Sequence, residues 1–473
     1  MSYYIIGIGG TGAKCVEALV HLTAAVALDQ PIHVLLVDPD KANGSVGQTQ
    51  QTIGKYVEAS RCLRGSAAGS PFMQTQWVPA EPLVWSPFAN TQQPVLRDLF
   101  QYEFLSQQHP VAAGLMEVLY SEQEMNASLD KGFLGRPSIG AAVFANSVDL
   151  LGSSPWQRFF GDLICNDNDA RIFLVGSVFG GTGAAGLPTL ARLLADRLQK
   201  DGRREQFRLG GALLLPYFSF PPGKDPAQLQ AKAGEFLLRS QAALGYYQDQ
   251  LKEDDRSFFD SVYLLGHDSQ PSVGFHSLGS TEQRNPPHFL EIYAAAAALH
   301  FFKDAAPRQT RTYMTARLNT KVLGWDSLPE GAALREPLAN LYRFVYAYSS
   351  KFFYGQLQNQ FLNERGGPLK WTTWYKAFFP KGQSQQSEED SQRIFSYRER
   401  LVAWLQTIQQ PQEGMKVHLL NTDHFKVLDT DGPNRTPDDV SKVLDRYKPQ
   451  PGSTESGLRQ FVHALYHECR QRP

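Results

Sequence analysis

The stretch Phe173-Leu174-Val175-Gly176-Ser177-Val178-Phe179-Gly180-Gly181-Thr182-Gly183-Ala184-Ala185-Gly186 decides the fold of this 473-residue chain. A short apolar run, typical of a buried strand, leads into a glycine-rich turn and then an amphipathic helix from Leu187 to Leu198. Glycine lets the backbone approach an anion closely, and the helix start behind it presents unpaired N–H groups at the positive end of the helix dipole. The stretch therefore predicts a strand–turn–helix unit that binds phosphate.

A second unit of the same kind stands at the start of the chain. Ile5-Ile6-Gly7-Ile8-Gly9-Gly10-Thr11-Gly12-Ala13-Lys14 follows a predicted strand, Tyr3 to Ile8, and opens a predicted helix, Gly12 to Ala24. The next strand is Ile32 to Val37, and this β–α–β order begins a doubly wound sheet. Two such turns in one domain predict a polyphosphate held from two sides.

Composition places the chain among ordinary globular proteins. Apolar residues make up 42% and charged residues 20%, and the formal net charge is -1, which gives no reason to expect a nucleic acid or an acidic membrane as partner. The scattered cysteines lack C-x-x-C spacing, no signal peptide is evident, and no apolar run approaches the roughly 20 residues that span a bilayer. We expect a soluble cytoplasmic protein.

The first turn alone has another interpretation. Gly7, Gly9 and Gly12 match G-x-G-x-x-G, and Asp38 ends the next strand, which is the fingerprint of a NAD-binding Rossmann oxidoreductase. That alternative leaves the second turn unexplained and offers no visible catalytic pair. A Walker A loop is excluded because Lys14 does not directly follow Gly12.

The second turn resembles the Gly-Gly-Gly-Thr-Gly-(Thr/Ser)-Gly signature loop of the tubulin/FtsZ superfamily. Other segments follow in the order of that family and resemble its first phosphate loop, its Asn-Thr-Asp turn, its loop near the γ-phosphate, its strand ending in Pro-Phe-x-Phe and its central helix. These segments are Ile6 to Gly12; Asp38-Pro39-Asp40; Gly132, Gly135, Pro137 and Gly140; Leu213 to Phe220; and His288 to Lys303. The resemblance covers roughly residues 1 to 330 and is closer to divergent bacterial tubulin-like proteins than to FtsZ.

The resemblance implies an α/β fold, a doubly wound and mostly parallel sheet with a central helix, followed by a divergent, largely helical C-terminal region. We expect a nucleotide-binding domain at residues 1–285 with an insertion at about 41–130. The central helix and the start of a second domain would occupy residues 286–335, and a divergent C-terminal domain residues 336–473. Five consecutive alanines, Ala294 to Ala298, also favour a closely packed central helix.

The implied cofactor is GTP or GDP, with Mg²⁺ bridging the β- and γ-phosphates through mostly water ligands and none assigned from the protein. Phe289 or Tyr293 would stack on the base, and Glu291 would accept hydrogen bonds from guanine N1 and N2. The nucleotide-binding residues are expected to be Gly9, Gly10, Thr11, Gly12, Asp38, Asp40, Gly135, Pro137, Gly180, Gly181, Thr182, Gly183, Phe289, Glu291 and Tyr293.

Simpler roles remain open for several of these residues. Thr11 and Thr182 can serve as helix caps, and Asp38 and Asp40 as ordinary turn acids. Glu291 can equally be the buried partner of a nearby arginine.

Hydrolysis depends in this family on an acidic residue supplied after the central helix by a neighbouring subunit. Here the nearest acid is Asp304, our candidate catalytic residue, and the family's Asn-x-Asp-x-x-Asp pattern is missing. We therefore expect nucleotide-dependent self-association or switching of a protein partner, with slow or absent GTP hydrolysis. The further alternative is a non-hydrolysing structural or interaction subunit of a bacterial multi-protein system, of which anti-phage defence is one example.

Some segments carry weaker signals. Residues from about Lys41 to Pro94 predict little structure of their own, and Gly382 to Gln392 predicts a mobile polar loop. We expect a hairpin from Met415 to Leu420 and Phe425 to Leu428. His463 and His467 have zinc-compatible helical spacing but no evident third ligand, so we interpret them as surface or partly buried histidines.

Overall fold

The computed structural model describes most of the chain. The described residues are 2–40, 42–64, 72–88, 94–130, 132–133, 136–149, 152–166, 169–219, 233–252, 258–267, 270–273, 285–304, 311–314, 321–358, 372–411, 415–448 and 456–470.

A seven-stranded parallel sheet organises these residues, in the order β3-β2-β1-β4-β5-β6-β7. A separate parallel pair joins β8 and β9. The strands are β1 (Ser2–Ile8), β2 (Ile32–Val37), β3 (Trp77–Trp85), β4 (Ala170–Ser177), β5 (Phe207–Leu214), β6 (Ser261–Leu265), β7 (Arg311–Met314), β8 (Val322–Leu323) and β9 (Lys416–Val417). The expected doubly wound fold is confirmed, because the strand order runs in opposite directions from the neighbours β1 and β4.

Helices cover both faces of the sheet and make up most of the C-terminal region. They are α1 (Gly9–Ala25), α2 (Gly44–Leu63), α3 (Leu96–Leu99), α4 (Tyr102–Gln108), α5 (Pro110–Leu119), α6 (Glu122–Asn126), α7 (Pro137–Ser147), α8 (Trp156–Asn166), α9 (Gly181–Lys200), α10 (Ala233–Lys252), α11 (Phe289–Lys303), α12 (Gly331–Tyr348), α13 (Tyr354–Leu357), α14 (Thr373–Phe378), α15 (Gln385–Ile408), α16 (Pro437–Leu444) and α17 (Gly457–Cys469).

Alternating side chains of the central strands pack into two separate hydrophobic cores, one on each face of the sheet. Ile5 of β1 joins the core that contains α1, α2 and α11, whereas its neighbour Ile6 joins the core that contains α7 and α9. Strands buried on both faces read as continuous apolar runs, which is why the central strands β1, β2 and β4 were visible in the sequence. Helix α11 is buried around its circumference, so the expected central helix is confirmed.

The C-terminal helices extend the first of these cores. Helix α15 packs on α2, and α12 packs on α1 and α17. A buried hydrogen bond of 3.1 Å joins the His21 Nδ1 atom of α1 to the Tyr397 hydroxyl of α15. The largely helical C-terminal region is confirmed, while the division at residues 285 and 335 stays a prediction because all three segments contribute to one core.

Three expectations were wrong. The segment from 41 to 94 contains the twenty-residue helix α2 and the edge strand β3. The polar segment from 382 to 392 begins α15, and the Ser384 hydroxyl accepts a hydrogen bond from the Ser387 N–H as its N-cap. The expected hairpin is replaced by β9, which pairs in parallel with β8. The composition of these segments suggested loops, but helix caps and pairing between distant strands determine their secondary structure. No helix in the described ranges is long and apolar enough to cross a bilayer.

We predict that Gly12→Ala destabilises the fold. A Cβ atom on Gly12 would lie 2.4 Å from the Val175 carbonyl oxygen and 2.9 Å from the Gly7 carbonyl carbon. Both atoms belong to paired central strands and cannot retreat, so we expect a loss of about 3 kcal/mol in the free energy of unfolding, measured by urea denaturation. Gly54→Ala is the matched control, since a Cβ there meets nothing within 4 Å and should stabilise α2 by about 0.5–1 kcal/mol. Equal stability of both variants would contradict the tight packing.

Candidate functional site

The carboxyl ends of β1 and β4 meet at the point where the strand order reverses. These strands are direct neighbours, with Ile8 opposite Gly176. Helix α1 leaves β1 over one face of the sheet, and α9 leaves β4 over the other. In doubly wound sheets this arrangement opens a crevice between the two departing chains, and ligands bind there.

The two glycine-rich turns contact each other at this crevice. Gly9 has a left-handed backbone with φ of 72°. A Cβ atom on it would lie 3.4 Å from the Thr182 Cβ atom and 3.5 Å from the Gly183 backbone nitrogen. The structure therefore brings together the predicted residues Gly9 to Gly12 and Gly180 to Gly183.

Both helix starts at the crevice lack a side-chain cap. Ile8 and Gly180 occupy the N-cap positions of α1 and α9, and the first turn of neither helix contains an acidic residue. Helix α2 differs, because the Asn43 side chain accepts hydrogen bonds from the Ser45 and Val46 N–H groups. The first N–H groups of a helix have no hydrogen-bond partner within the helix. Those of α1 and α9 therefore lie at one crevice, together with the positive ends of two helix dipoles.

The turn that follows β2 borders the crevice on a third side. Asp38 accepts hydrogen bonds through Oδ1 from the Asp40 N–H at 2.9 Å and through Oδ2 from the Asn43 amide at 3.3 Å. Asp40 accepts one from the Ala42 N–H at 2.9 Å. A Cβ atom on Gly10 would lie 3.0 Å from Asn43 Nδ2, so this turn borders the first turn of α1. Burial raises the pKa of the Asp38 carboxyl to about 8.

Behind the first turn lies a buried ion pair. The Lys14 ammonium is 2.5 Å from Glu291 Oε1, and these side chains are 6% and 1% exposed. Lys14 also donates to the Pro286 carbonyl oxygen at 2.8 Å. The Tyr217 hydroxyl donates to Glu291 Oε1 at 3.2 Å and hydrogen-bonds with Thr11. Burial raises the pKa of the Glu291 carboxyl, and Lys14 opposes that rise. The Lys14–Glu291 ion pair thus links α1 to the start of α11.

The residues of α11 that are expected at a nucleotide base are buried at the start of that helix. Phe289, Glu291 and Tyr293 are buried, and the Tyr293 hydroxyl donates to the Ser327 carbonyl oxygen. Glu291 does have a buried cationic partner, but it is Lys14 rather than an arginine. These three side chains pack in the core, and their contact with a base stays a prediction.

The remaining predicted residues lie beside the second turn, far from both turns, or outside the described residues. Pro137 is the first residue of α7 and lines a cavity together with Val178 and Ala184 next to the second turn, whereas Gly135 lies outside the described residues. Asp304 is the C-cap residue of α11 and lies 3.5 Å from Arg311. Because α11 is about 20 Å long, Asp304 stands far from the start of that helix.

The described residues contain no group of three or more His, Cys, Asp or Glu side chains arranged to hold a metal ion. His463 is buried, and His467 is exposed with its Nδ1 atom 3.3 Å from Glu468.

Three residues at or beside the site were not predicted in their roles: Asn43, Tyr217 and Lys14. Asn43 carried a usable signal, since asparagine before a helix is a strong N-cap, but α2 itself was missed. The sequence does not indicate the role of Lys14, because its partner Glu291 lies far away along the chain.

Comparisons with known proteins concern the fold. No family model matches the sequence, and no curated protein sequence matches it. Among solved structures, the GDP-bound CetZ1 monomer from Haloferax volcanii is 13% identical with a TM-score of 0.30, over 65% of this chain and 62% of that chain. This chain thus spans less than two thirds of the CetZ1 length.

Two structures of TubZ are also similar. The GTPγS-form protofilament from Bacillus thuringiensis serovar israelensis is 11% identical with a TM-score of 0.23, over 56% of this chain and 48% of that one. The helical TubZ-Bt two-stranded filament is 11% identical with a TM-score of 0.25, over 86% and 79%. CetZ1 and TubZ are members of the tubulin/FtsZ superfamily that the glycine turns resemble.

We predict that removing one member of the buried ion pair costs more than removing both. Lys14→Met leaves the Glu291 carboxylate buried without a counter-charge, so we expect a loss of about 3–5 kcal/mol in the free energy of unfolding. Glu291→Gln should also destabilise the protein, and the Lys14→Met/Glu291→Gln double variant should recover most of the loss. A double-mutant cycle by urea denaturation measures the coupling. Additive losses would show that the two charges do not depend on each other.

Proposed function

We propose that this protein binds a guanine nucleotide, with its phosphates in the crevice between the starts of α1 and α9. The observation that carries the proposal is the contact between two glycine turns, each opening a helix without a side-chain cap, where the strand order reverses. Backbone N–H groups of both turns would donate to phosphate oxygens, and both helix dipoles would favour the negative charge.

The two turns approach the phosphates from different directions, which suits a chain of phosphates better than a single anion. A dinucleotide needs only the first turn, whereas the second would then have no ligand. The turn at Asp38, Asp40 and Asn43 borders the same crevice and is the natural place for a ribose. Mg²⁺ would be held by phosphate and water oxygens, neutralising charge, since the described residues offer no metal cluster.

Guanine is proposed on the resemblance of the turns to the tubulin/FtsZ superfamily. With Glu291 engaged by Lys14 and Tyr217, recognition of the base falls to other groups near the crevice. The nucleotide would order the turns at its phosphates and so switch a contact surface for self-association or for a protein partner.

Hydrolysis is proposed to be slow or absent in the isolated protein. Asp304 lies at the far end of α11 from Glu291 and is next to Arg311, so it cannot position water at the phosphate turns of its own chain. Correct positioning of water and stabilisation of transition-state charge account for orders of magnitude in phosphoryl transfer.

We expect GTP and GDP to bind, and ATP and NAD to bind at least tenfold more weakly, measured by isothermal titration calorimetry. Gly181→Val should abolish binding while leaving the circular dichroism spectrum unchanged, because a branched side chain would occupy the first turn of α9. Gly54→Val, on the exposed side of α2, is the matched control and should bind like the unmodified protein. Preference for NAD would overturn the proposal in favour of a Rossmann oxidoreductase, and unchanged affinity in Gly181→Val would remove the phosphate site.

We also expect release of phosphate from GTP to be slow at both low and high protein concentration. Asp304→Ala should leave that rate unchanged, because the carboxylate does not reach a phosphate site in the isolated chain. A phosphate-release assay, with electron microscopy of the same samples, makes the measurement. Fast release that rises with concentration, visible filaments and a loss of rate in Asp304→Ala would instead establish hydrolysis between neighbouring subunits.

A further inference from the structure

Tyr217 lies between the two glycine turns and the central helix. It stands shortly after the end of β5 and is 1% exposed. Two backbone hydrogen bonds hold the end of that strand. The Val178 N–H donates to the Leu214 carbonyl oxygen at 3.0 Å, and the Leu215 N–H donates to the Leu265 carbonyl oxygen at 2.8 Å. The backbone that leads to Tyr217 is therefore fixed on both sides, so its side chain extends from a rigid support.

The hydroxyl of Tyr217 joins the first turn to the start of α11. The Thr11 hydroxyl hydrogen-bonds with it, and it donates in turn to Glu291 Oε1 at 3.2 Å. Burial raises the pKa of the Tyr217 hydroxyl well above its usual range, so the group keeps its proton and remains a donor to the carboxylate. A single hydroxyl group thus connects the first turn of α1 with the ion pair behind it.

The ring of Tyr217 contacts the second turn and the first residues of α11. Phe179, the residue before Gly180, makes an edge-to-face contact with it at a centroid distance of 6.4 Å. The His288 ring centroid lies 4.8 Å away, and His288 is the N-cap of α11, where its Nδ1 atom accepts a hydrogen bond from the Leu290 N–H. Aromatic contacts of this kind add attraction beyond burial. Tyr217 therefore contacts both glycine turns and the central helix at once.

The first turn needs such a support. Three of the first four residues of α1 are glycine, and glycine loses more backbone freedom on ordering than any other residue. Thr11 is the remaining one, so a neighbouring group can hold this turn by a side chain only through Thr11. Holding the turn in its bound conformation before the ligand arrives reduces the entropy lost on binding.

We propose that Tyr217 is a positioning residue of the nucleotide site, whose hydroxyl holds the first glycine turn, through Thr11, in the conformation that receives the phosphates. This role rests on the proposed nucleotide site and adds to it the residue that organises one of its two turns. Tyr217 acts through the turn and not by touching the ligand.

The test compares Tyr217→Phe with Tyr263→Phe, a matched control. Tyr263 on β6 is also buried, and its hydroxyl hydrogen-bonds with His300 Nδ1 at 2.7 Å near the other end of α11. Both changes therefore remove one buried hydroxyl that contacts the same helix. We expect Tyr217→Phe to bind GTP about tenfold more weakly in isothermal titration calorimetry, as for the loss of one buried hydrogen bond, and Tyr263→Phe to bind like the unmodified protein.

Variants of Thr11 separate positioning from direct contact with the ligand. Thr11→Ser keeps the hydroxyl and should bind GTP like the unmodified protein, whereas Thr11→Val should show the loss seen in Tyr217→Phe. The double variant Thr11→Val/Tyr217→Phe should bind no more weakly than the weaker single variant, because both changes remove the same contact. Additive losses would overturn the proposal, since they would show that the two hydroxyl groups act independently.

Amide hydrogen exchange of the free protein, followed by mass spectrometry, gives a local readout. The N–H groups of residues 13–16 donate to the carbonyl groups of the first turn and so report its opening. They should exchange about tenfold faster in Tyr217→Phe, while residues 185–187 at the second turn should be unchanged, because phenylalanine keeps the ring contact with Phe179.

Unchanged GTP affinity of Tyr217→Phe, or exchange that is unchanged or faster throughout the protein, would overturn the proposal in favour of a merely structural tyrosine. The exchange measurement needs no nucleotide. Failure of the unmodified protein to bind GTP would therefore count against the proposed function, while the exchange of residues 13–16 would still decide whether Tyr217 holds the first turn.

Discussion

The close approach of two backbone turns at the middle of the sheet is the constraint on which the rest of the structure depends. Gly12 lies against the Val175 carbonyl, and Gly9 lies against Thr182 and Gly183. A Cβ atom on Gly12 would force β1 and β4 or the start of α1 apart, and the left-handed backbone of Gly9 disfavours any other residue there. The same contact that lets the two helices leave on opposite faces also leaves their first N–H groups at one crevice. Packing and the proposed binding site thus have a single cause.

A second connection ties this centre to the rest of the chain. Lys14 and Glu291 join α1 to the central helix in a place that water does not reach, and His21 continues the contact of α1 to α15. Such buried polar contacts are costly when incomplete, so they admit one relative placement of the helices. Helix α1 thus connects the first glycine turn, where phosphates are proposed to bind, to α11 and to the C-terminal helix α15.

Sequence patterns correctly predicted the elements whose structure depends on neighbouring residues in the chain. The central strands and both glycine turns were visible because a strand buried on both faces is an apolar run and each turn needs glycine. Helix α2 was missed because its buried face contains threonine and serine; Thr52, for example, donates to Glu17 at 2.7 Å. The start of α15 was taken for a loop since its polar residues face solvent and its cap is a single serine.

The ion-pair partner of Glu291 was not visible in the sequence for a different reason. Glu291 was expected either at a ligand or beside an arginine, and its partner in the structure is Lys14, far earlier in the chain. Periodicity within one helix does not reveal which distant charge will meet it. A contact between residues distant in the sequence, rather than local helix propensity, determines the environment of Glu291.

The raised pKa of Asp38 has a consequence for how the crevice receives anions. Burial, with the neighbouring Asp40, raises this pKa to about 8, so near neutral pH the carboxyl adds less negative charge to the field of the two helix starts than an exposed aspartate would. An approaching polyphosphate would favour the protonated form still more, since like charges nearby disfavour ionisation. Binding of an anion beside Asp38 would therefore be accompanied by uptake of a proton in mildly alkaline solution.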